Sequence, residues 1–473
     1  MHNPVVEKEF ERALEAILAR VFRMENVDIA PLFSSPELRE NTRIAIAYSG
    51  GLDSSVLLHL AYRFAVEKGC VLCAFHVHHG LNPHADEWLA YCENECKRLG
   101  VFFDSKRVQI DRQSGDGIEA EARKKRYRAL GELCREHDIP LLLTAHHEDD
   151  QVETVLLQLM RGAGVAGLSG MEASSHSPEL LGDEKLILGR PLLSVSRKEL
   201  AAWQTEEGVS HIDDDSNDDM TYTRNAIRHR LVPVLDDLFP GFQKRLFRTA
   251  QHAGSAQRLL EELARNDFEL CVSGKNSLNL ELMRSLDQDR IDNLLRYWLA
   301  INGVRMPSTS WLSQARQQLM DAREDAQIDL ILDAYTIRRY RQNISLGKTV
   351  ESTGNQPHPL EIQWHGENTF RLHQWRGTLH FEESGTGFDI DWLQRRKLRI
   401  EPYRGNAELK LAGRPTKTLK ALCQELGIPA WERQFLPLVF FENDLVYAAG
   451  IGIGASCLKK NGKCVQIRWE RDT

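Results

Sequence analysis

Residues 43–54 read RIAIAYSGGLDS. Ile44 and Ile46 alternate with small alanines in an apolar run of strand length, two glycines follow at once, and SSVLLHLAYRFAVEK (54–68) has helical spacing. Working outward, the same alternation repeats. VLCAFHV (71–77), VFFDSKRVQI (101–110) and LLLTA (141–145) read as strands. ADEWLAYCENECKRLG (85–100), GIEAEARKKRYRALGELCREHD (117–138) and QVETVLLQLMRG (151–162) read as helices. Strand–helix alternation of this kind means βαβ units, so the fold class is α/β with a doubly wound parallel sheet. The pattern fades near residue 235. Before it, Val6, Phe10, Leu14, Ile17, Leu18 and Val21 predict an amphipathic helix over 3–23. After it, 241–340 reads as mostly helical, ESTGNQPHP (351–358) as a turn-rich joint, and 360–473 as strands with short helices. The domains expected are an N-terminal helical extension (1–41), a catalytic α/β domain (42–240), a helical domain (241–350) and a small α+β C-terminal domain (351–473).

The chain has 473 residues, 42% hydrophobic and 27% charged, values of an ordinary globular protein. Sixty Lys and Arg against 68 Asp and Glu leave −8, so attraction to a polyanion has to come from local patches. No apolar stretch reaches the ~18 residues of a membrane helix. The start, MHNPVVEKEFERAL, has no export signal, and nine scattered cysteines read as reduced thiols, so a cytoplasmic location without membrane attachment is expected. Cys70 and Cys73 have CxxC spacing but read as buried structural thiols in a strand.

Three clusters carry the chemistry. In the first, Ser49, Gly50, Gly51, Leu52, Asp53 and Ser54 link a strand to a helix. Glycines let the backbone turn sharply toward a ligand, and free N–H groups at the helix start suit a phosphate. Asp53 either caps the helix or holds a divalent cation. The loop is neither GxxxxGK[ST] nor GxGxxG. In the second cluster, His146, His147, Glu148, Asp149, Asp150, Gln151, Glu153 and Thr154 follow another strand, at the edge where open α/β sheets bind ligands. Capping explains acids in a first turn, but two histidines with several carboxylates exceed what a cap needs; beside a phosphate loop they suggest magnesium. Between these lies a basic helix in which Arg123 and Arg126 share a face at i, i+3. The third cluster, DDDSNDDMTYTRNAIRHRLVPVL (213–235), places Asp215, Ser216 and Asn217 before Arg224, Arg228 and Arg230. From 221 to 248, six cations against Asp236 and Asp237 give 6 − 2 = +4, a local reversal suited to a nucleic-acid backbone. A second basic stretch, 395–420, holds nine cations against Glu401 and Glu408, 9 − 2 = +7.

SGGxDS after a strand resembles the pyrophosphate loop of the ATP pyrophosphatase superfamily. SGGLDS, AHHEDDQVETVLLQLMRGAG (145–164) and DDSNDDMTYTRNAIRHRLVP (214–233) in that order look like the tRNA(Ile)-lysidine synthetase family. RGNAELKLAGRPTKTLKALCQELGIPAWERQFLPLV (404–439) resembles its C-terminal domain. The resemblance implies an enzyme that adenylates C2 of the wobble cytidine of a CAU-anticodon tRNA(Ile) with ATP. Free L-lysine then displaces AMP, and the lysidine formed reads AUA as isoleucine. It implies that Ser49, Gly50, Gly51, Leu52, Asp53 and Ser54 hold ATP, with Asp53 near Mg2+. It implies that Asp150, together with Asp149, binds the metal or orients the lysine amine. His146, Arg123 or Arg126, and Arg224 with Arg228 would steady the adenylated intermediate or the tRNA. Lysine and tRNA(Ile) come from the resemblance alone. Two other readings share the loop: a tRNA thiolase of the same superfamily, and an ATP-binding RNA module without catalysis.

Overall fold

The computed structural model describes residues 4–22, 30–34, 41–80, 82–110, 118–213, 223–274, 276–323, 328–349 and 357–471. Asp215, Ser216 and Asn217, and most of the 351–358 joint, lie outside them. The chain forms two compact units, 1–263 and 264–473. That division falls later than the 240/241 boundary read from the sequence.

In the first unit, β1 (Arg43–Ala47), β2 (Val71–His78), β3 (Phe102–Arg107), β4 (Leu141–Leu143), β5 (Ser174–His176) and β6 (Ile187–Gly189) form one sheet in the order β3-β2-β1-β4-β6-β5. All neighbours pair parallel except β5 with β6. The alternation of β1 explains why the sheet is covered twice. Ile44 and Ile46 join one apolar cluster and Ala45 joins the other. On the first face pack α1 (Pro4–Val21) and α2 (Leu52–Lys68); on the second packs α4 (Ile118–Glu136), while α3 (Ala85–Leu99) sends Cys92 and Cys96 to the first. The helix expected over 3–23 is thus α1; its Val6, Phe10, Leu14, Ile17 and Leu18 are each at most 2% exposed, so this extension is part of the sheet's own core. Burying five such side chains contributes about 1.5–3 kcal/mol each before entropy.

The strand order runs outward from β1 to β3, then restarts with β4 on the other side of β1. The crevice between the carboxyl ends of β1 and β4 is therefore the topological switch point, where open α/β sheets bind ligands.

In the second unit the stretch read as mostly helical carries its helices, Gln288–Ile301 and Thr309–Asp321, and also a five-stranded antiparallel sheet absent from the sequence reading. Its strands β7 (Val272–Gly274), β8 (Ser277–Asn279), β9 (Ile328–Leu332), β10 (Tyr335–Tyr340) and β11 (Asn343–Lys348) span three to six residues. Such segments are too short for an alternation to stand out, and β9 places the apolar Ile331 at an exposed position, which masks its own. The fully buried Arg339 closes this layer by donating to the carbonyls of Leu319 (2.7 Å) and Ala322 (2.8 Å) at the helix end, which a sequence pattern does not anticipate. A second five-stranded and a three-stranded sheet follow; the latter contains β14 (Gly377–Asp389) and β21 (Lys459–Arg471). No helix among the described residues is long and apolar enough to cross a membrane.

Candidate active site at the sheet switch point

The SGG turn leaves β1 and enters α2 with Gly51 as its N-cap and no side-chain cap, so the first N–H groups of α2 face a ligand rather than a local acceptor. Gly50 holds φ +86°, and a Cβ there would lie 2.7 Å from Ile212 Cδ1 and 3.0 Å from Cys92 Sγ. Only glycine suits that position without strain. The turn is locked by its serines. Ser54 Oγ accepts from the Ser49 N–H (3.3 Å) and donates to the Gly51 carbonyl (3.0 Å), and Ser55 Oγ donates to the Gly50 carbonyl (3.1 Å). Leu52 turns away into the core. Asp53, in the first turn of α2, is not a cap: its Oδ1 is buried without a hydrogen-bond partner.

Opposite stands α5 (Glu148–Met160), which follows β4. Its N-cap is His147, 2% exposed, whose backbone N–H donates to Asp150 Oδ2 at 3.1 Å. Three carboxylates face the His147 ring: Asp53 (3.6 Å), Asp149 (3.6 Å) and Asp150 (3.4 Å). Burial works against its positive charge, but these acids outweigh burial and raise the pKa. Asp150 is the converse. Burial disfavours its charge, and His147 with Arg224 holds its carboxyl below the usual range. His146 differs from its neighbour. Burial, aided by Arg190, Arg123 and Arg224, presses it down to about 3, so the imidazole is neutral at pH 7 and meets Thr144 Oγ1 through Nδ1 (2.8 Å).

The third cluster arrives through an irregular helix. Thr223–Ala226 and Val232–Leu238 are α-helical, and Ile227–Leu231 between them is a π-turn. Pro233 supplies the reason: it has no N–H, and its ring would crowd the carbonyl four residues back. Arg224 and Arg228 then share one acceptor. Each donates Nε to Glu153 at 2.6 Å, one to each carboxylate oxygen, and Glu153 is 2% exposed. Arg224 also reaches Asp150 Oδ1 at 3.2 Å, with Arg228 at 3.6 Å. These arginines are therefore paired with Asp150 and Glu153. Arg123 and Arg126 lie against the Tyr127 ring, 4.9 and 5.5 Å from its centre.

Sequence reasoning placed His147 and Glu153 in the second cluster without an individual role, and did not single out Arg190 and Arg197. Arg190 leaves β6 at the same sheet edge, is 8% exposed, and donates to the Glu172 carbonyl (2.7 Å) and Ser175 Oγ (3.2 Å). Arg197 donates its backbone N–H to Asp149 Oδ2 at 2.8 Å. An arginine just after a short apolar strand was the available signal for Arg190. For Glu153 it was the i, i+3 spacing from Asp150. Of the two cysteines expected to be buried in a strand, Cys73 is buried in β2, whereas Cys70 is half-buried and precedes that strand; burial pushes both thiols up to about 11.

A glycine turn, an uncapped helix start and facing acids at a switch point define an ATP-binding enzyme of the PP-loop class, and the PP-loop domain family matches residues 20–235. The TilS substrate binding domain matches 278–345 and the TilS substrate C-terminal domain matches 398–469. A tRNA(Ile)-lysidine synthase of Burkholderia pseudomallei is 38% identical over 447 residues, covering 88% of this chain and 90% of that protein. One from Escherichia coli O157:H7 is 36% identical over 438 residues, covering 92% and 98%. The chain belongs to the tRNA(Ile)-lysidine synthase family. Among solved structures, a U34-tRNA thiolase of Methanococcus maripaludis with a [4Fe-4S] cluster gives a TM-score of 0.38 at 14% identity, covering 52% of this chain and 79% of that one.

Proposed function

We propose that this chain ligates free L-lysine to C2 of the wobble cytidine in a CAU-anticodon tRNA(Ile), through an adenylated tRNA formed from ATP. The observation that carries the site assignment is the meeting, at one switch point, of a phosphate-shaped turn with the Asp53–His147–Asp150–Glu153 array. Ser49, Gly50, Gly51 and Ser54 hold the pyrophosphate portion of ATP, using backbone N–H groups and hydroxyls. The cytidine O2 attacks the α-phosphorus and the bond to the β-phosphate oxygen breaks. The amine then adds at C2 and AMP leaves with the former carbonyl oxygen. Arg123 or Arg126 offsets charge gathering on the transferring phosphate, where fixed donors act most strongly. His146, neutral in the site, donates or accepts a hydrogen bond without adding charge.

Magnesium fits the donors. Asp53 offers an orphaned buried oxygen, and Asp149 keeps one carboxylate oxygen beyond its bond to Arg197, while Asp150 is already engaged by Arg224 and His147. An octahedral ion that keeps waters and phosphate oxygens needs only one or two such carboxylates and would neutralise the departing pyrophosphate. Asp150, held as a carboxylate by that pairing, then orients the lysine ammonium, whose proton passes to water before the neutral amine attacks.

In the second unit, Arg395, Arg396, Lys397, Lys410, Arg414 and Lys420 form no ion pair among the described residues, whereas Arg399 and Arg404 are held by Glu401. These unpaired cations grip the tRNA backbone without reading sequence. The deciding experiment is incubation with radiolabelled lysine, ATP, magnesium and total tRNA, then nucleoside analysis. Label in one cytidine-derived nucleoside is expected. Pyrophosphate release without label transfer would overturn the reading, as would absence of release.

A further inference from the structure

Four segments of the second unit bring arginines and aromatic rings together away from the 395–420 stretch. Arg338 and Tyr340 end β10, and Arg341 follows in the turn. Trp431 and Arg433 lie on the short helix Ala430–Arg433, with Phe435 just beyond. Arg376 occupies the turn before β14, and Arg471 ends β21. Trp431 and Tyr340 meet edge to face at 6.0 Å, and the Arg338 guanidinium sits 5.8 Å from the Trp431 ring centre. Arg341 lies 5.4 Å from the Tyr340 ring, and Arg471 and Arg376 lie 4.1 and 5.9 Å from Phe435. Arg471 feels the charges of both Arg376 and Arg338, so these groups form one neighbourhood.

Five arginines face two acids there, Asp329 at 3.6 Å from Arg338 and Glu432 beside Arg471, so 5 − 2 = +3. Arg341, Arg376 and Arg471 are exposed; Tyr340, Trp431 and Phe435 are half-buried. Arg341 and Arg376 hold left-handed backbone at φ +55° and +52°, which costs a non-glycine residue about 1–2 kcal/mol. Turn geometry alone favours glycine or asparagine at those positions. A guanidinium laid on an aromatic ring keeps its N–H edge directed outward for a phosphate, and aromatic rings and guanidinium planes accept an unpaired base. A duplex presents phosphates but no free base face, so it does not use the aromatic half of such a surface.

We propose that this arginine–aromatic cluster is a second RNA contact surface that takes an unpaired stretch of the RNA substrate, with phosphates on the arginines and a base against an aromatic ring of the cluster. The proposal rests on the reading of the substrate as tRNA. Its alternative is purely structural, since Arg341 also donates to the Gln424 carbonyl and ties two segments together.

The test uses the full chain and its Arg376→Gln/Arg471→Gln and Phe435→Leu variants. The probes are a CAU-anticodon tRNA(Ile) transcript, an unstructured RNA of about twelve nucleotides and a duplex of similar length. The double variant should bind tRNA roughly tenfold more weakly, with a salt slope lower by about two. Phe435→Leu should lose about five- to tenfold on the single strand and less than about twofold on the duplex. Unchanged single-strand affinity in all variants, or equal loss on both RNAs with a lowered melting temperature, would overturn the surface. Lysidine formation by the wild-type chain is scored separately. Its absence would sink the proposed reaction, and the single-strand selectivity of the variants would still decide this surface.

Discussion

His146 and His147 are sequence neighbours that titrate in opposite directions. His147 sits among Asp53, Asp149 and Asp150 and is raised; His146 is lowered to about 3 by burial, against Asp150, with Arg190, Arg123 and Arg224 adding to it. One residue step, shortly after β4, carries the chain from the cation side of the crevice to its acid side. The proposed reaction, which brings a metal-bound pyrophosphate, an ammonium and a transferring phosphate to one crevice, would gain from keeping these fields apart.

The largest effect should come from the acid side. Asp53→Ala and Asp150→Ala should each lower pyrophosphate release by at least about a hundred- to a thousandfold with the circular dichroism spectrum preserved. Normal turnover in either would remove it from the site. Next, Glu153→Gln leaves Arg224 and Arg228 with a neutral acceptor, and should cost roughly 1–3 kcal/mol of stability and lower turnover. Unchanged urea midpoint and rate would show that the pairing does not position them. Smaller still, Arg228→Ala should raise the Michaelis constant for tRNA about tenfold and that for ATP less than about twofold, in line with one lost charged contact. Equal changes in both would place Arg228 on the nucleotide instead.

The two histidines themselves sharpen the contrast through pH. His147 has a raised folded pKa, so its stabilisation is complete below about 6.5 and fades as pH rises through the raised value. The stability gap between wild type and His147→Gln should therefore shrink from pH 6 to pH 9. His146 has a lowered folded pKa, so the unfolded chain takes up the proton first and stability falls as pH drops from about 6.5 toward 3. His146→Asn should flatten that acid limb. Parallel pH profiles for the two variants would show that the crevice is not divided.

Much of this site was legible in advance. The run RIAIA followed by SGG announces a buried strand feeding a tight turn, and HHEDD after LLLTA falls at the same sheet edge. Both signals are local, because alternation, glycine freedom and capping act over a few residues. Glu153 was legible only as a helix acid. Its function as the shared acceptor of Arg224 and Arg228 depends on tertiary packing that brings together residues about seventy positions apart. The sheet β7–β11 was missed because its strands are short and its pairings bring residues near 278 against residues near 344.

From its sequence alone the chain was bound to form a doubly wound sheet with a phosphate-shaped turn, because short-range periodicity and glycine placement leave the backbone few other choices. Which histidine is raised and which lowered, and which arginines are paired with acids, was settled only in three dimensions. Charge state and pairing depend on burial and on distances between residues remote in the chain, which no local pattern encodes.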